Sequence, residues 1–175
     1  MNRLALLFVA ACAPVGEANP DGPAGGTPGT LQLTYTTTPT PGQYTPLNCS
    51  VAWIESPGGT IIKTIDRKCG IRSVYLVAWR TASGGDGADM DAVTGGSRIS
   101  HETPISITWD LRDRIGGVVA DDTFTIRMET TEANVTSAAM NNQGTFTFTK
   151  GSQVETRSGL SNGGFIDVSF TYTPP

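Results

Sequence analysis

Apolar and polar residues alternate with a period of two in several separate stretches of this chain. Leu31, Leu33 and Tyr35 alternate with Gln32, Thr34 and Thr36, and Ile105, Ile107 and Trp109 with Ser106 and Thr108. Phe124, Ile126 and Met128, then Phe146 and Phe148, then Ile166, Val168, Phe170 and Tyr172 repeat the pattern. A period of two predicts strands with one buried face. Val51-Ala52-Trp53-Ile54 is nearly continuous apolar sequence, separated from Thr60 to Ile65 by Ser56-Pro57-Gly58-Gly59, so a hairpin is expected there. Val74 to Trp79 has no clear period and fits a strand or a short helical turn. Thr81 to Ser97, rich in Gly and Asp, reads as a long loop, the kind of segment that often carries function. No stretch sustains a helical period, and the many threonines and Gly-rich turns predict an all-β, antiparallel β-sandwich.

The first residues change the picture of where this sandwich works. Met1-Asn2-Arg3 precedes the apolar run Leu4 to Ala11, the pattern of a secretory signal and too short for the roughly 20 residues of a bilayer span. Val9-Ala10-Ala11-Cys12 resembles the lipobox of bacterial lipoproteins, with a shorter lead than usual. That resemblance implies a signal peptide over residues 1–11, lipidation of Cys12 and a membrane partner through the lipid anchor. Without an Asp after Cys12, it also implies the outer membrane. Residues 12–29, rich in Pro, Gly and Ala, cannot bury enough surface to offset ordering and read as a tether. Residues 30–175 are then one β-sandwich domain.

The formal net charge is -4 with Lys and Arg scattered, which argues against nucleic acid as a partner. Cys49 and Cys69 remain after Cys12, and in an oxidising compartment such a pair reads as a disulfide, placed at the open end of the expected hairpin.

Trp109-Asp110, Asp113, Gly116-Gly117 and the strand from Phe124 to Glu129 resemble a hairpin of immunoglobulin-like domains found in flagellar hook-capping proteins. The sequence departs from that pattern at Leu111 and Asp122, where glycine is usual. The resemblance implies an immunoglobulin-like sandwich and no chemistry. Together with Val51 to Glu55, Tyr75-Leu76, Trp79 and Asp91 to Ser97, it is similar to a family of periplasmic domains encoded near extracytoplasmic flavin transferases and membrane redox proteins. Within it, Asp91-Ala92-Val93-Thr94-Gly95-Gly96-Ser97 resembles the acceptor motif of flavin transferases. By that match Ser97 takes FMN through a phosphodiester, with Asp91, Thr94, Gly95 and Gly96 as the motif around it. Gly96 stands where alanine is preferred. A flavin transferase and a membrane redox protein are the implied partners.

Other candidates point to less. Asp86, Asp89 and Asp91 offer oxygen ligands but lack the downstream Glu of a calcium loop, so a solvated acidic loop is the expectation and no metal site is predicted. His101 is the only histidine and is expected to be hydrogen-bonded or on the surface. Trp53, Trp79 and Trp109 are expected in the core rather than against a flavin. No phosphate-cradling loop, nucleophile elbow, metalloprotease helix or thiol-redox pair is present, so the chain does not read as an enzyme. The sequence thus predicts a lipid-tethered cell-envelope accessory of a flavin-linked redox system. The alternative is a structural or ligand-binding module without cofactor.

Overall fold

The computed structural model describes residues 25–40, 42–84, 94, 95 and 97–175; the signal peptide, Cys12, most of the tether, Asp86, Asp89, Asp91 and Gly96 lie outside them. The described residues form an all-β antiparallel sandwich. Its strands are β1 (Thr30–Thr37), β2 (Cys49–Glu55), β3 (Ile61–Lys68), β4 (Thr94–Gly95), β5 (Ile105–Trp109), β6 (Thr123–Thr131), β7 (Asn142–Thr149), β8 (Glu155–Asn162) and β9 (Phe165–Thr173), with a short helix α1 at Val77–Ala82. One sheet has the order β5-β1-β9-β8; the other runs β4-β3-β2-β6-β7, with the two-residue β4 parallel to β3 at its edge. The immunoglobulin-like character lies in these two packed antiparallel sheets.

The alternation sets the packing. Leu31, Leu33 and Tyr35 face inward from β1, and Ile126 and Met128 from β6. Phe148 gathers the aromatic part of the core, with its ring centroid 5.8 Å from Phe124 and 6.4 Å from both Trp109 and Phe170. The apolar run in β2 has its own cause. Ala52 and Ile54 face the inter-sheet core, whereas Cys49, Val51 and Trp53 face outward into a second apolar cluster with Cys69, Leu76 and Trp79. Both faces of β2 are therefore covered, and alternation disappears from its sequence.

The cover is the segment between β3 and β4. The undecided stretch Val74 to Trp79 is helical: a 3-10 turn at Ile71–Tyr75 leads into α1, which runs through Ala82 and shortens the loop expected from Thr81. The hairpin at Ser56 to Thr60 forms as expected, with Gly59 in the left-handed region at φ 78°. Cys49 and Cys69 form the disulfide at its open end, with Cα atoms 4.6 Å apart.

Trp109 to Phe124 corrects the expectation of a hairpin. β5 pairs with β1 and β6 pairs with β2 and β7, so this connection crosses from one sheet to the other. Its aspartates do bond loop amides: Asp110 Oδ1 accepts from Arg112 N at 3.2 Å, and Asp113 Oδ1 from Gly117 N at 2.8 Å and Ile115 N at 3.0 Å. Leu111 has φ 59° and is fully buried, so a side chain anchored in the core occupies a backbone state that glycine enters without strain. β8 lies outside the strands expected from alternation, because its largely exposed residues do not alternate. Its turn into β9 needs Gly163 and Gly164 at φ 56° and 87°, and a Cβ on Gly163 would lie 1.6 Å from Gln143 O.

Candidate functional site

Of the residues singled out by the sequence, Thr94, Gly95, Ser97, His101 and the Cys49–Cys69 pair lie at one end of the sandwich, where β1 and β6 finish, β2 begins and β3 ends. β4 brings the acceptor-like segment there: Thr94 pairs with Arg67 and Gly95 with Lys68. Arg98 then bridges to Asn48, with each backbone N–H donating to the other residue's carbonyl at 2.8 and 3.0 Å. Between these anchor points Ser97 is half-buried, its Oγ 3.7 Å from Cys49 Sγ. The segment is thus a pinned sheet edge rather than part of a wholly open loop. Asp91 and Gly96 of the motif lie outside the described residues, as do Asp86 and Asp89 of the calcium reading.

His101 sits in the middle of a buried polar group. Its Nε2 lies 3.0 Å from Glu132 Oε1 and its Nδ1 2.9 Å from Thr37 Oγ1. Glu132 also accepts from Thr40 N at 2.6 Å and from the Thr45 hydroxyl at 2.7 Å. Arg98 donates through Nη1 to Thr37 Oγ1 at 2.9 Å and through Nη2 to Thr103 O at 3.0 Å. Burial holds the His101 pKa below its ordinary value, opposed by Glu132. The imidazole is therefore neutral at pH 7, and with Nε2–H directed at Glu132 its Nδ1 accepts the Thr37 proton.

Thr37, His101 and Glu132 have the connectivity of a hydroxyl, imidazole and carboxylate relay. Thr37 is only 3% exposed, however, and its oxygen is already bonded by Arg98, so a substrate carbonyl has no approach to it. The arrangement ties β1, the segment after β4 and the end of β6 together. Nothing in the sequence points to it: Thr37 and Glu132 are separated from His101 by long stretches, and each lies beyond the last apolar residue of its stripe, Tyr35 and Met128.

The tryptophans are structural. Trp53, Trp79 and Trp109 are each at most 2% exposed, and their indole N–H groups are bonded to Glu55 Oε1, Thr64 Oγ1 and Arg112 O. Among the described residues no group of three or more His, Cys, Asp or Glu is arranged to hold a metal, and no helix is long and apolar enough to cross a membrane.

No family model, no curated protein and no solved structure matches this chain.

Proposed function

We propose that the protein is a non-enzymatic, lipid-tethered accessory of an extracytoplasmic flavin-linked redox system, with Ser97 as the acceptor of covalent FMN. The observation that carries this reading is the place of the acceptor-like segment. Thr94 and Gly95 form the outermost strand of a sheet and Ser97 is half-buried at its rim, so the hydroxyl is not locked in the core. The adjacent Cys49–Cys69 disulfide fits an oxidising compartment.

In the proposed step Ser97 Oγ attacks the FMN-side phosphorus of FAD bound to a transferase. An Oγ–P bond forms, the P–O bond of the pyrophosphate breaks, AMP leaves, and the hydroxyl proton passes to a base of the transferase. Coexpression with an active transferase gives a yellow protein heavier by one FMN less one water, and Ser97→Ala abolishes the gain. Absence of flavin from the wild-type protein under those conditions rejects the reading. Lipidation is tested separately: Cys12→Ala releases the protein from the membrane fraction, and persistent sedimentation rejects the anchor.

A second reading is a binding module without cofactor. It is favoured by a hollow of about 520 Å³ beside α1, lined in part by Val74, Val77 and Val135. Unmodified protein in the coexpression experiment supports it.

A further inference from the structure

We infer that the cleft between Lys68 and Arg98 is a binding site for a small organic anion, a carboxylate or phosphate group carried on an apolar body. This site is separate from the Ser97 acceptor and does not depend on it, since the Ser97 hydroxyl faces the disulfide. The cleft has a volume of about 330 Å³, and its lining includes Lys68, Arg98, Ile99, Ser100, Thr103 and Pro104. A volume near the lower end of small-molecule sites suits a ligand of a few heavy atoms.

Charge at the cleft selects the ligand. A guanidinium has five N–H donors. Two donations from Arg98 are made within the protein, to Thr37 Oγ1 and Thr103 O, and both acceptors are neutral. Asp66 is the carboxylate that acts on Arg98, but it is bonded at 2.9 Å by Lys68. Lys68 and Asp66 balance each other, and Arg98 leaves one positive charge at the wall of the cleft. Among the described residues, the other groups facing it do not remove that charge. Tyr35 is buried with its pKa raised, chiefly by desolvation, and stays a neutral phenol. Glu132 turns its oxygens to His101, Thr40 N and the Thr45 hydroxyl rather than to Arg98.

Arg98 is itself partly desolvated, which lowers its pKa and leaves water a poor substitute for a counter-charge. A carboxylate or phosphate that takes its remaining N–H groups forms charge-assisted hydrogen bonds in a site of reduced dielectric. A cation would meet two positive side chains instead. The ligand's body follows from the rim, where Ile99 is 74% exposed beside Pro104.

The test uses the full exported chain, with inorganic phosphate, butyrate and neutral 1-butanol as probes in amide and Arg Nε chemical-shift titrations. Saturable shifts at residues 98–106 are expected for at least one anion, with a Kd of roughly millimolar order as suits so few contacts. Response to phosphate alone or to butyrate alone identifies which oxyanion the site takes. Arg98→Gln is expected to weaken binding at least tenfold, Arg98→Lys less, and Lys68→Gln several-fold. The proposal is overturned if neither anion saturates, if 1-butanol binds as well as butyrate, or if folded Arg98→Gln keeps the wild-type affinity. Should Arg98→Gln fail to fold, the wild-type map decides, because saturating shifts that fall elsewhere also overturn it.

Discussion

Glu129 Oε2 accepts the backbone N–H of Trp79 at 2.9 Å, so a side chain of the second sheet fixes the first turn of the helix laid across it. Its other oxygen accepts from Ala78 N at 3.0 Å and from Asn141 Nδ2 at 2.7 Å. A fully buried carboxylate is retained here because helix amides and an amide side chain take the place of its water.

Replacing Glu129 by Ala leaves the backbone amides of Ala78 and Trp79 without their acceptor, while Asn141 keeps Tyr75 O, and is expected to destabilise the fold by roughly 2–5 kcal/mol, measured by denaturant unfolding. Loss of the Trp79 near-ultraviolet circular dichroism signal should accompany it. Desolvation raises the Glu129 pKa above its ordinary 4.5, against the pull of its hydrogen bonds. A raised acid pKa contributes stability that is complete below the unfolded value and is lost as pH rises through the folded one. Wild-type stability therefore includes a component that declines as pH climbs above about 4.5, and Glu129→Gln, which cannot ionise, removes that component. Identical pH profiles for the two proteins would contradict the assignment.

Asp121 makes the opposite prediction. Hydrogen bonds from Lys150, then from the hydroxyl and N–H of Thr27, hold its carboxyl down at about 2. Its stabilising contribution is present above the ordinary 3.8 and disappears as pH falls through about 2. Asp121→Asn should flatten the acid limb of the stability curve between those values. Thermal unfolding scanned from pH 5 downward checks this, and an unchanged acid limb counts against it.

Leu111 sets two effects against each other. Truncating a buried leucine to alanine costs roughly 2–5 kcal/mol, whereas a left-handed backbone costs a non-glycine residue roughly 1–2 kcal/mol. Packing is the larger effect, so Leu111→Gly is destabilising even though glycine suits the backbone. Glycine also escapes the strain that alanine keeps, so Leu111→Gly should be less destabilising than Leu111→Ala, the reverse of the usual order in strands and helices. Urea midpoints for both variants decide the question; a less stable glycine variant would show that strain at Leu111 is negligible.

The Cys49–Cys69 bond closes a sequence separation of 20 residues. Removing it as the double alanine variant should cost about 3 kcal/mol in the chain-entropy view. Alkylation of the native protein without reduction, followed by mass spectrometry, should find neither of these thiols modified.

Much of the fold was legible because inward residues such as Leu31, Leu33 and Tyr35 obey the period of a strand facing one core. Legibility failed where that premise fails. Trp109 and Phe124 both point into the core, and alternation says which residues are inside but not which sheet holds them, so a crossing between sheets read as a hairpin. Glu129 lies on the face that alternation assigns to solvent, and only the helix above turns that position into an interior one. At the candidate site, the acceptor-like motif brought Ser97 into view, but Arg98 was not singled out, and the contacts of Arg98 with Thr37 and of His101 with Glu132 are products of the tertiary fold. Local pattern carries no trace of them.

The contact of Thr27 with Asp121 also determines how the molecule bears a load. It anchors the lead-in to β1 at the end of the sandwich opposite His101, and β1 spans the intervening distance, about 25 Å for eight extended residues. β1 is flanked by β5 and β9, both antiparallel to it, and such inter-strand bonds lie perpendicular to the strands. A pull on the chain ahead of Thr27 along this strand therefore shears its hydrogen bonds as a group instead of opening them one by one.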